Sequence, residues 1–164
     1  MSHGVNRAIL KSGKIDERVI FLEKLKSKIN GIKYDFYGIG KQEPIWGNNF
    51  YMSLLNSKMA LNLSRGKPTK YYSSNRIASL MGNGLLVFID KNVKINDFFN
   101  KNEIVTYQDI DDLSDKIKYF KINEKHRKNV AMRGKQKYFK LFNEKVITKY
   151  LIDISTGKKA SLIN

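Results

Sequence analysis

Residues 59–90 read MALNLSRGKPTKYYSSNRIASLMGNGLLVFID, and this stretch decides the fold. Residues 59–64 alternate apolar and polar positions, as a half-buried strand does. Ser73 or Ser74 can then cap a short helix carrying Ile77, Leu80 and Met81. Gly82-Asn83-Gly84 stops that helix, because Gly and Asn tolerate the left-handed backbone at a helix end. Residues 85–89 (LLVFI) are apolar throughout, which suits a central parallel strand covered on both faces. Strand, helix and strand in so short a span predict a parallel α/β unit.

The same alternation continues on either side. Residues 16–29 place Val19, Leu22, Leu25 and Ile29 at helical spacing, with Asp16 as the cap. Residues 33–40 (KYDFYGIG) are short, aromatic and ended by glycines, which predicts a strand. Residues 48–58 predict a helix capped by Asn48 or Asn49, with Phe50, Leu54 and Leu55 inward. Residues 103–107 (EIVTY) predict another strand, and 109–122 an amphipathic helix through Ile110, Leu113, Ile117 and Phe120. From residue 123 the chain reads as helical almost to its end, with Tyr138, Phe142, Val146 and Tyr150 four apart. The fold class expected is α/β: a Rossmann-like parallel sheet with helices on both faces, in one domain over residues 1–154 followed by a tail at 155–164.

Composition bounds the function less than its size suggests. The chain has 164 residues, 31 Lys and Arg against 15 Asp and Glu, and a formal net charge of +16. Such a balance raises nucleic acid, an anionic surface or a phosphorylated ligand as partner. Yet lysine supplies 25 of those cations and arginine 6, and Lys, Asn and Ile share A/T-rich codons. The lysines are also scattered rather than blocked, so a solvated surface explains them and no specific nucleic acid is expected. No cysteine is present, which removes disulfides and thiolate chemistry. The opening MSHGVNRAIL lacks the layout of a secretory signal, and a cytoplasmic location, at most peripheral to the inner membrane face, is expected.

In parallel α/β sheets ligands bind beyond the carboxyl ends of the strands. The loops there are 39–46, 64–74 and 90–97. The richest is Ser64 to Arg76, which follows a strand, carries four cationic side chains and runs into a helix start. Free N–H groups at that start, the helix dipole and nearby cations make an anion site. The plain alternative is a capped helix with solvated lysines. A second basic segment is His3-Gly4-Val5-Asn6-Arg7, followed by Lys11, Lys14 and Arg18. Trp46, in a strand-end loop, could stack on a ring or cover the core edge.

Other chemistries lack their residues. Gly38-Ile39-Gly40 has Glu43 where a dinucleotide fingerprint needs glycine, and Gly66-Lys67 has Leu61 where a P-loop needs its first. Only His3 and His126 are present, so no metal site is expected. There is no GxSxG elbow. Asp111-Asp112 suits a helix start.

Taken together, these residues resemble the carboxy-terminal domain of group 1 glycosyltransferases of the two-Rossmann-domain (GT-B) fold, in the subgroup containing the spore-maturation CgeB-like proteins. The likeness covers roughly residues 18–151 and is strongest over 51–107, where YMSLLNSKMALNLSRG leads through YYSSNRIASLMGNGLLVFID to NDFFNKNEIVTYQDIDDLSDKI. The terminal NEKHRKNVAMRGKQKYF segment and Tyr37-Gly38 also resemble the family pattern.

The resemblance implies half of a GT-B fold that binds a nucleotide-sugar donor as substrate, with no further cofactor. It implies that Ser73, Ser74 and Asn75 meet the donor phosphates, with Arg7 and Lys14 as further phosphate-binding candidates. It makes Arg76, which would neutralise the leaving nucleotide, and Asp97, near a position that contacts the donor sugar, the catalytic candidates. Relatives carry a glutamate in the helix before the glycine pair; here Ala78 stands there.

The family's acceptor site lies in an amino-terminal domain. The partners expected are therefore a sugar-nucleotide donor, a glycan or lipid-linked saccharide acceptor and such a domain, without which catalysis by the chain alone is not expected. Two other readings follow the residues: a non-catalytic basic α/β module that binds nucleic acid or an anionic surface, and a degenerate transferase half kept for assembly.

Overall fold

The computed structural model describes residues 13–39, 42–72 and 74–159. Three strands form one parallel sheet: β1 (Met59–Asn62), β2 (Leu86–Asp90) and β3 (Val105–Tyr107), in the order β1-β2-β3. Met59 lies opposite Leu86, and Phe88 opposite Val105. Six α-helices accompany the strands among the described residues: α1 (Glu17–Lys28), α2 (Gly47–Leu55), α3 (Asn75–Gly82), α4 (Ile110–Ile122), α5 (Glu124–Leu141) and α6 (Glu144–Ser155). Two 3-10 turns, Lys91–Val93 and Ile95–Asp97, follow β2.

The apolar run of β2 explains the layering. Leu86 and Phe88 point into a cluster with Leu25, Ile29, Leu113, Ile117, Phe120 and Val130, on the side of α1 and α4. Val87 and Ile89 point the other way, into a cluster with Leu54, Ile77, Leu80, Met81 and Phe99, on the side of α2 and α3. Each of the first four β2 residues thus finds an apolar partner, whichever face it takes, and none of these side chains is more than 2% exposed. Helix α5 reaches both clusters, with Val130 and Ala131 in one and Leu141 in the other. The class is α/β and Rossmann-like, a parallel sheet between helical layers.

Most expected elements form, and the exceptions have physical causes. The strand expected at 33–40 does not form among its described residues, 33–39: residues 32–37 have no regular structure. Their alternation is real, because Ile32, Tyr34 and Phe36 are half-buried while Lys33, Asp35 and Tyr37 are exposed. Ile32 and Tyr34 pack on the α1–α4 cluster, so the period reports an extended segment with one covered face. A strand also needs a backbone ladder, which the pattern cannot show. Leu55, expected inward, is 68% exposed, whereas Leu54 is buried.

The terminal helix is two helices. Asn143 takes an extended backbone (ψ 162°) and its Oδ1 accepts a hydrogen bond from the Val146 N–H at 3.0 Å, which starts α6 afresh. No α6 residue is buried. Among the described residues no helix is long and apolar enough to cross a membrane.

Candidate functional site

The carboxyl ends of the three strands open into a cleft of about 170 Å³. Its walls come from Arg18 and Phe21 of α1, Asn62 and Leu63 at the end of β1, Asp90 of β2 and Tyr107 of β3. The β1–α3 loop (residues 63–74) and the start of α1 frame it. Phe21 and Tyr107, both lining it, lie side by side with ring centroids 6.3 Å apart.

One wall is built on a buried ion pair. Asp16 caps α1, accepting from the Arg18 N–H at 3.0 Å, and is 1% exposed. The Arg18 guanidinium returns to the same carboxylate, Nη2 to Oδ2 at 2.6 Å, and Arg65 Nη2 approaches it at 3.5 Å. The Arg18 hydrogen bond leads the effects that hold the Asp16 pKa at about 2, and burial only partly opposes it. One carboxylate therefore draws together two arginines from distant parts of the chain, of which Arg18 lines the cleft.

The start of α3 does not line the cleft and adjoins it through Leu63, a lining residue whose carbonyl Arg76 contacts. Ser74 stands at the N-cap, but its Oγ makes no capping bond and is buried without a partner among the described residues. Asn75 is the first helical residue and is exposed. Arg76 donates from Nη1 to the Leu63 carbonyl at 3.1 Å. Its pKa is pushed below the ordinary guanidinium value, first by loss of water and then by the charge of Arg18. Among the described residues it has no carboxylate partner; the residue as a whole is exposed, with Arg18 and Tyr72 close enough to act on its charge.

The remaining expected residues fall elsewhere. Arg7 and Ser73 lie outside the described residues. Lys14 is exposed, two residues before the Asp16 cap. Asp97 does not line the cleft; its Oδ2 accepts from the Tyr71 hydroxyl at 2.7 Å. Tyr71 has φ +61°, an unusual conformation for a bulky residue. It is held there by its N–H to the Val93 carbonyl at 2.8 Å and by Phe98, edge-on at 5.1 Å. Asp97 thus pins the β1–α3 loop to the segment after β2. Trp46 is 77% exposed and is not part of the cleft.

Sequence reading gave Asp16 only as a helix cap and did not single out Asn62, Asp90 or Tyr107 as cleft residues. Asp90 is half-buried, with Oδ1 accepting from the Asn92 N–H at 2.8 Å, and its charge adds to burial in raising the Tyr107 pKa. The signal for Asn62 was present: it is the polar residue at the carboxyl end of a strand that alternates.

A parallel sheet between helical layers, with a cleft at the strand ends that Arg18, Glu17 and Asp90 help to line, defines an α/β domain of the Rossmann-like kind, consistent with half of a GT-B fold. The chain matches a family described as glycosyl transferase-like over residues 18–152. It belongs to that family. No curated protein and no solved structure matches it.

Proposed function

We propose that the chain binds the diphosphate of a nucleotide-sugar donor between the start of α3 and the Arg18–Arg65 wall, in the service of sugar transfer to a saccharide acceptor. The observation that carries this reading is Arg76, an exposed cation held at the cleft edge by the Leu63 carbonyl, repelled by Arg18 and without a carboxylate partner among the described residues. A diphosphate supplies the missing negative charge, and more of it as the sugar departs, so the same contact favours the transition state. Free N–H groups of the first α3 turn point the same way. Ser74 and Asn75 are assigned to these phosphates, with Ser73, Arg7 and Lys14 as further candidates. Asp97 is assigned to positioning, through Tyr71, the loop that carries Arg65.

Removal of the charge tests the assignment. Arg76→Ala is expected to weaken nucleoside diphosphate binding by about 1.5–3 kcal/mol, the size of a hydrogen bond to a charged group. Isothermal titration measures it, with Arg76→Lys retaining part of the affinity. An unchanged dissociation constant in Arg76→Ala removes Arg76 from the site.

A further inference from the structure

Asn62 ends β1, is 2% exposed and lines the cleft, yet among the described residues neither its Nδ2 nor its Oδ1 has a partner. An unpaired buried amide is costly, and a leucine of similar volume would carry no such cost. Its placement links it to the site. Ala60 packs toward the cluster under α2 and α3, so Asn62, two residues further, lies on that same side of the sheet. There the Ser74 Oγ is also buried and unpaired among the described residues. The next residue, Leu63, supplies the carbonyl that holds Arg76. The vacant amide and the charged end of the cleft are neighbours at one strand end.

The amide's chemistry narrows what it can take. Phosphate oxygens only accept hydrogen bonds, so they would satisfy Nδ2 and leave Oδ1 empty. A hydroxyl both donates and accepts, and satisfies both atoms. We propose that Asn62 binds a hydroxyl of a ring attached to the diphosphate, with Nδ2 donating to a ring oxygen or hydroxyl and Oδ1 accepting from a hydroxyl. The assignment rests on the donor-site reading above. Two rings carry such hydroxyls in a nucleotide sugar, the ribose and the transferred sugar.

The experiment compares wild type, Asn62→Leu and Asn62→Ala in calorimetric titrations with pyrophosphate, UDP and UDP-glucose, and with GDP and GDP-mannose. Melting temperatures are recorded alongside. The result expected is a melting temperature for Asn62→Leu equal to or above wild type, unchanged pyrophosphate binding and roughly tenfold or greater weakening of a ring-bearing ligand, about 1.4 kcal/mol. Equal weakening of diphosphate and nucleotide sugar assigns Asn62 to the ribose. Weakening of the nucleotide sugar alone assigns it to the transferred sugar. Wild-type affinities for every ligand in both variants overturn the proposal and leave the donor site standing. Loss of pyrophosphate binding together with a lowered melting temperature in both variants makes Asn62 structural and overturns it as well. Failure of the wild type to bind any of these ligands overturns the donor site and, with it, the role of Asn62.

Discussion

Asp16 is 1% exposed and has two arginines at hydrogen-bonding or ion-pairing distance, so its protonation is coupled to folding. Its pKa is lowered from 3.8 to about 2. A depressed carboxylate pKa stabilises the fold above the unfolded value, and that stabilisation is lost as pH falls through the folded value. Asp16→Asn is therefore expected to cost on the order of 2 kcal/mol at pH 7. Its difference from wild type should shrink below pH 4 and close near pH 2, and denaturant unfolding at several pH values measures it. Individual residues were unevenly legible. The Asp16 cap follows from residue type and helical spacing. Its tie to Arg65, 49 positions away, is a tertiary contact that no local pattern contains. Ser74 was legible as one of two cap candidates for α3, but not as a hydroxyl without a partner among the described residues.

Elements follow from periodicity where a period has one physical cause. The run in β2 needed two covering layers, and both are there. The alternation in residues 32–37 had a different cause, one face of an extended segment lying on the core. The four-residue spacing from Tyr138 to Tyr150 spanned a cap at Asn143, because spacing records which side is apolar and not whether the backbone bonds continue. The packing of α5 yields a sharper expectation. A Cβ on Gly134 would meet the Glu103 carbonyl oxygen and the Met81 Cε. Alanine gains helix propensity of about 1 kcal/mol over glycine, but collision with backbone outweighs that gain. Gly134→Ala is expected to lower stability by roughly 1–3 kcal/mol, read as a fall in the denaturation midpoint. A stabilised variant would mean that α5 does not approach the β3 start so closely.

At the scale of the molecule, a net charge of +16 could draw the chain to any polyanion, while the proposed donor site takes a defined one. These alternatives differ in stoichiometry and in salt response. Counterion release makes binding to a nucleic-acid backbone collapse with added salt, whereas a diphosphate held by oriented N–H groups and two or three fixed arginines loses less. Membership of the glycosyl transferase-like family and the Rossmann-like architecture both favour the defined site. Titration of the purified chain with UDP and with GDP at moderate and high salt tests this most directly. The account predicts saturable one-to-one binding of one of them that persists at high salt. No binding to either, beside strongly salt-dependent binding to duplex DNA, would contradict it.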